Sequence, residues 1–399
     1  MYHKIDKVLC LVIILTSIMT LIFPALAEQN VFNELAINEL NELSAFYQNN
    51  KSAPALSIYN QSKELSIEYP FYSYTLALKC RKAILQKNTN DLAAVMGVTT
   101  IIGNLTKEVQ VGLNELQNEK SSIEQNNRGF ESEEWLSLAD RELNESEKYL
   151  GASQKSYSIG NYNETLIYLT KSDFALYKAE KLLNIAKNRN NTSSMKYDLR
   201  SNKDGEEIVS NWMKNASGKI SLLAQSGNRK DIRKLSIDAI NESKQYSSDE
   251  NYYLSVMSVA EGEALAEFGL GYKKYSNHME ALSKSEKQVE EVNNSLKEIY
   301  KNYEIDIPLA NLHLEMAKLH LNEAKNTKEI NIIPLADMAI REALIAKKQI
   351  KAATDLKKAI EYPVDASRSP VSMQAPLGTM PLLGAIIAVC VLRRRQEKR

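Results

Sequence analysis

A chain of 399 residues with 50 Lys+Arg and 50 Asp+Glu has no net charge, which excludes the basic excess of a nucleic-acid binder and a long acidic tail. At 44% hydrophobic and 25% charged it has the composition of a folding chain rather than a disordered one. Three Cys and four His are too few for a disulfide scaffold or a Cys/His metal framework. The first element is a leader. A basic start to Lys7, an apolar run from Val8 to Phe23 and Pro24-Ala25-Leu26-Ala27 read as a secretory signal cut between Ala27 and Glu28. An uncleaved anchor competes with that reading, but the run is short for a span and Ala-x-Ala fits a peptidase site.

From Glu28 to Glu361 the pattern predicts helices. Pro is absent from Phe71 to Ile307, and apolar residues recur at three- and four-residue steps. Ile102, Leu105, Val109, Leu113, Leu116 and Ile123 make one such stripe. Leu282, Val289, Leu296 and Tyr303 fall seven apart, as in a coiled-coil seam that pairs either within the chain or with a second copy. No comparable stretch alternates with period two. The expected fold class is all-α: an elongated array of helical hairpins, solenoid or bundle, with units at 28–127, 128–200, 201–304 and 305–361.

A short phrase recurs: Asn60-Gln-Ser-Lys63, Asn144-Glu-Ser-Glu147, Asn241-Glu-Ser-Lys244 and Asn322-Glu-Ala-Lys325. Following helices are expected to start at Tyr72, Tyr253 and Pro334, and in the second copy at Asn163 after an inserted turn. That copy predicts one helix over Ala139–Tyr157, a turn at Gly160-Asn161 and a second helix over Glu164–Lys187. Gly160-Asn-Tyr-Asn-Glu-Thr-Leu-Ile-Tyr168 resembles the helix–turn–helix unit of tetratricopeptide-type arrays. The resemblance implies hairpins that stack to bury their apolar faces and present an extended concave surface. Tyr69-Pro-Phe-Tyr-Ser-Tyr-Thr-Leu-Ala-Leu-Lys-Cys80, with the Gly160-Asn-Tyr turn, is similar to the helical region of archaeal secreted relatives of the Lon protease. Nothing corresponds to their Ser–Lys protease domain, so this likeness implies the helical part without the catalysis.

The C-terminus opens with a linker at 362–374. An uncharged run at 375–392, which includes Pro381 and Leu392, follows, and the basic tail 393–399 begins Arg393-Arg394-Arg395. Eighteen residues at about 1.5 Å each just cross a hydrocarbon core, and the Arg cluster would hold this end in the cytoplasm. A buried core helix is the alternative, and it would need no such cluster. The tail resembles the archaeal sorting tail of Pro-Gly-Phe type in its span and Arg cluster, although Met380-Pro381-Leu382-Leu383 stands where the triplet would be. Retention of a single-pass transmembrane helix is therefore expected, with the body outside the cell.

Without leader and tail, 43 basic face 48 acidic residues, a mildly acidic solvated surface. Asn-x-Ser/Thr sequons begin at Asn50, Asn60, Asn104, Asn144, Asn163, Asn190, Asn191, Asn215, Asn241 and Asn293, where composition alone gives about five. They are candidate glycosylation sites. Cys80 is the only cysteine between leader and tail, and it reads as a small core residue.

Catalytic signatures are missing. There is no phosphate-cradling Gly-x-x-x-x-Gly-Lys, no Gly-x-Ser-x-Gly elbow and no His-Glu-x-x-His. His313 and His320 share a helix face, but two turns hold them about 10 Å apart, too far for one metal ion. Glu133-Glu134 and Glu290-Glu291 read as solvated faces. The Tyr residues, Trp135 and Trp212 read as helix packing, with a sugar- or peptide-binding groove as the lesser alternative. No catalytic residue, cofactor, metal or nucleic-acid partner is expected. These features predict a non-catalytic, membrane-anchored cell-surface protein that binds envelope or surface-layer proteins. A glycosylated stalk, or an enzyme acting on peptide or glycan without a local motif, are the alternatives.

Overall fold

The computed structural model describes residues 31–47, 55–125, 130–190, 203–227, 229–271, 275, 277–303 and 307–361. The leader with Ala27 and Glu28, the linker 362–374, the span 375–392 and the tail 393–399 lie outside them. Among the described residues there are twelve α-helices and no strand, so the all-α class holds. None of these helices is long and apolar enough to cross a membrane.

Helix α1 covers 31–47. It is followed by α2 (Leu56–Leu65), α3 (Pro70–Met96), α4 (Val98–Gln125), α5 (Phe130–Ser158) and α6 (Tyr162–Asn190). Next come α7 (Lys203–Ser226), α8 (Lys230–Ser248), α9 (Tyr252–Gly271), α10 (His278–Tyr303), α11 (Pro308–Asn326) and α12 (Glu329–Glu361). Asparagine opens several of them. The side-chain oxygens of Asn161, Asn251 and Asn277 accept the backbone N–H of Glu164, Leu254 and Glu280, satisfying donors that the first turn leaves without a helical partner. Glu164 returns the contact by accepting from the Asn161 amide at 2.8 Å, and Gly160 supplies the left-handed turn (φ +75°) between α5 and α6.

The helices repeat in threes. In the first three units the second and third helices cross closely, and in each unit the first meets the third. Ser62 and Ser73 (α2, α3) touch through their hydroxyls at 3.1 Å, and each donates to the other's carbonyl at 2.7 Å. Ser146 and Ser172 (α5, α6) meet at 2.8 Å, and Ser243 and Ser255 (α8, α9) at 2.9 Å. In the fourth unit the corresponding positions are Ala324 and Ala336, both fully buried. The third residue of the recurring phrase is therefore the crossing point of the first three hairpins. A side chain no larger than serine lets the backbones approach, and the hydroxyl pair satisfies itself without water.

First helices pack onto third helices by apolar contact and ion pairs. Leu40, Leu43 and Tyr47 of α1 share a core with Ala77, Cys80 and Ile84 of α3. Lys219 of α7 reaches Glu263 of α9 at 2.8 Å, and Lys347 of α12 reaches Glu291 of α10 at 3.6 Å. The units are thus α1–α3, α4–α6, α7–α9 and α10–α12. α4 and α10 open the second and fourth units, whereas the sequence reading closed the first and third with them.

Three further expectations need correction. Pro334 does not start a helix but lies within α12, which begins at Glu329. Proline removes the bond that the Ile330 carbonyl would accept, and it does so near the helix start, where Ile330 is exposed. In the second unit the first helix of the hairpin begins at Phe130 rather than Ala139, and its crossing serines are Ser146 and Ser172, because both helices continue past the crossing. Finally, the units do not form an elongated open stack. Glu315 of the fourth unit accepts the Phe71 and Tyr72 amides at the start of α3 in the first, so the array closes on itself. All four units feed one core, with Phe32, Trp135, Leu183, Trp212, Tyr253 and Leu314 among its members.

Candidate functional site

Carboxylates, several of them buried, are brought to cations, most of which lie on other helices. Glu39 and Glu42 of α1 meet Arg81 of α3, and Lys181 of α6 reaches Glu42 at 3.1 Å. The Arg81 guanidinium also lies 4.4 Å above the Tyr177 ring, whose hydroxyl donates to Glu39. Burial and the two carboxylates push ionisation of that phenol far up. Burial alone would raise Glu42, but Lys181 and Arg81 hold its carboxyl below the usual range. Glu142 meets Arg141 and Lys178, and Glu263 and Glu267 share Lys219 and Lys348. Against the pull of burial, those two lysines keep Glu263 and Glu267 ionised. Glu342 lies 2.7 Å from His313 Nδ1 and 2.7 Å from Arg341, which lower it in the same way. Carboxylates held as paired anions brace helices together. Glu42, Glu263, Glu267 and Glu342, lowered by their partners, have little capacity to exchange a proton with a substrate near neutral pH.

Other carboxyls behave oppositely, Glu261, Glu315, Asp173 and Asp337 among them. Burial raises Glu261, with His313 opposing. Burial also raises Glu315, to about 7, although the Tyr72 and Phe71 amides favour its anion.

A cleft of about 300 Å³ opens where the start of α8, the end of α9 and the first turns of α12 converge, lined by Arg229, Phe268, Ile333, Pro334, Asp337 and Arg341 together with Met338. Arg229 sits in the left-handed region (φ 48°), its guanidinium 5.5 Å over Phe268 and 3.2 Å from Asp231. The Tyr275 hydroxyl donates to Asp337 at 3.0 Å. Burial raises the Asp337 carboxyl, while Tyr275, Arg229 and Lys284 oppose that shift. An apolar floor between guanidiniums and a carboxyl suits a peptide segment that carries an apolar side chain and polar ends.

The sequence-derived candidates fall on surfaces and at crossings. Asn60, Asn104, Asn144, Asn163, Asn215 and Asn241 are exposed on helices. Asn293 is half-buried and accepts from Lys318 at 2.8 Å. Asn50, Asn191 and the side chains of Asn190 and Tyr303 lie outside the described residues, as do Pro381, Leu392, Arg393, Arg394 and Arg395. Three sequon hydroxyls, Ser62, Ser146 and Ser243, are the crossing serines, and Thr165 is buried against the Asn161 carbonyl. Hairpin packing therefore accounts for part of the sequon excess.

Val289 and Leu296 of the seven-residue seam are buried in the shared core of this chain, with Leu282 half-buried beside them. Cys80 is buried at the α1–α3 contact, in keeping with a small core residue. Glu290 and Glu291 are exposed, but Glu133 and Glu134 are buried, each with interaction partners. The start of α5 lies in the core beside Trp135, so those two do not form a solvated face. His320 pairs with Glu323 at 3.4 Å on its own helix. Sequence reasoning missed Glu315 and the cleft, whose residues come from segments up to a hundred positions apart.

Comparison with protein-family models, with curated proteins and with solved structures returned no match for this chain.

Proposed function

We propose that this is a non-catalytic, membrane-anchored helical-repeat protein of the cell surface. On this reading the leader is removed after Ala27, the run 375–392 spans the membrane once and the Arg tail stays inside. Its work is protein–protein interaction or scaffolding at the envelope. The observation that carries the proposal is the use made of the interior charges. Glu39, Glu142, Glu263 and Glu342 each meet an Arg or Lys, most of these on other helices, and so act as braces. What remains for a partner is the cleft around Phe268 and Asp337, whose mixed lining fits a protein segment.

The test is isolation of the natively expressed chain from gently crosslinked membranes, read by mass spectrometry. A reproducible near-stoichiometric envelope protein, lost when the half-buried Ile333 and Met338 are both changed to Glu while helicity stays intact, supports the reading. Recovery of the chain alone at every crosslinker dose sinks it.

A further inference from the structure

The first two units end level with one another. α3 and α4 turn at Gly97, and α5 and α6 turn at Gly160. Thr170 of α6 donates to Thr89 of α3 at 3.4 Å; these residues lie eight positions after the start of α6 at Tyr162 and seven before the end of α3 at Met96. Gly112 of α4 faces Leu176 of α6, with a Cβ at Gly112 only 3.2 Å from its methyl, and each lies fourteen residues beyond its helix start. α4 and α6 therefore run parallel and in step. Both turns stand at one end of the α3–α6 bundle, about 12 Å beyond the Thr89–Thr170 contact.

That end is apolar and bare of charge. Val95 is 84% exposed, Ile159 77%, Leu92 and Met96 50%, Tyr157 47% and Tyr162 41%. No charged residue occurs from Leu92 to Thr106, nor from Ser156 to Asn163, in a chain that is one-quarter charged. The nearest acids are occupied: Asp91 pairs with Lys87 at 2.5 Å, and Glu164 accepts from Ser156, Asn161 and Tyr168. The exposed polar groups there, Thr99, Thr100, Ser158, Asn161 and Asn163, are uncharged. Here the aliphatic groups crown the turns and two tyrosines, apolar in body and polar at the tip, stand beside them, the order of side chains found where protein enters a lipid headgroup layer. The same chain carries the uncharged run 375–392, beginning fourteen residues after Glu361, which keeps a bilayer within reach of the body.

We propose that the paired turns at Gly97 and Gly160 dip into the interface of the lipid bilayer and give the ectodomain a second, non-covalent foothold on the membrane. The inference rests on the anchoring proposed above. It also requires Asn163, at the tip, to be free of glycan.

The test uses the full chain with Cys390→Ser and Ile159→Cys, labelled at residue 159 with a polarity-sensitive fluorophore and reconstituted in phosphatidylcholine vesicles. The expected result is a blue-shifted emission, quenched by brominated lipid and shielded from aqueous iodide. Val95→Asp with Met96→Asp, both exposed positions, should abolish the shift while leaving helicity intact. A chain that floats with the vesicles while its label stays iodide-accessible overturns the inference and leaves the anchor standing. A label shielded from both quenchers assigns the end to a protein contact, which also overturns it. A chain that does not float at all removes the foothold and the anchor together. A glycan found on Asn163 of the native protein is equally fatal.

Discussion

A serine at a helix crossing does two things that no other residue does as well: it keeps the backbones close, and it satisfies its own hydroxyl. Ser243 and Ser255 donate to one another's surroundings at 2.9 Å with no access to water. Ser255→Ala leaves the Ser243 hydroxyl short of a partner and should lose about 1–2 kcal/mol, whereas Ser243→Ala should lose less because Ser255 still donates to the backbone carbonyl of residue 243. The double variant should lose less than the sum, since no buried hydroxyl is then left behind. A double-mutant cycle read by urea denaturation checks this, and additivity would show that the pair is not coupled. The phrase carrying Ser62, Ser146 and Ser243 was legible in the sequence as a repeat. Its partner serines were not, because their spacing varies with hairpin length.

Glu315 gives a second prediction at this scale. Its folded-state value of about 7 lies above the ordinary 4.5, so the folded chain keeps the proton to higher pH than the unfolded one. The stability from this group is complete below about 4.5 and lost as pH rises through 7, about 3 kcal/mol over the interval. Lys318, itself lowered by burial, is the nearest cation. Glu315→Gln keeps an acceptor for the α3 amides but cannot titrate. Relative to wild type it should gain stability steadily between pH 5 and 8, in melting curves taken at each pH. Parallel profiles for the two proteins would contradict the assignment.

At the scale of the element, the first helices of the units have one apolar stripe and the third helices are enclosed. In α4, Ile102, Val109, Leu113 and Ile123 of the expected stripe are buried, so that periodicity translated directly into a face. α9 has no such face: fifteen of its twenty residues are buried, as a helix surrounded by others requires. Close approach to its neighbours is set by Gly262, where a Cβ would lie 3.0 Å from the Ser236 backbone carbonyl of α8. Backbone cannot swing aside as a side chain can. Gly262→Ala should therefore destabilise by about 1–3 kcal/mol despite its better helix propensity, measurable as a lower midpoint in guanidinium. An unchanged or raised midpoint would mean that α8 shifts freely. Pro334 shows the opposite case, where the expected helix start falls inside α12, five residues after its first turn opens at Glu329.

At the scale of the whole molecule the four units share one core, and the contact of Glu315 with the start of α3 joins its two ends. Damage at a central position should therefore spread. Val289→Asp places a charge among Val292, Leu296 and their neighbours in that core, and a loss of about 3–5 kcal/mol is expected, with helicity melting as one transition at lower temperature. Survival of native helicity with a change in subunit mass would instead mean that the seam faces a second copy.

The sequence by itself determined the helices, the caps at Asn161 and the turn at Gly160, because hydrophobic period and capping chemistry act over three or four residues. It also marked each hairpin with a phrase whose third residue had to be small. Only the tertiary structure decided that the helices group in threes, that the first and fourth units meet, and that Glu133 and Glu134 lie inside. It alone brought the turns at Gly97 and Gly160 to one level. Those outcomes depend on contacts between residues tens to hundreds of positions apart, and each is fixed by shape and charge matching across helices that carry no local trace in the chain.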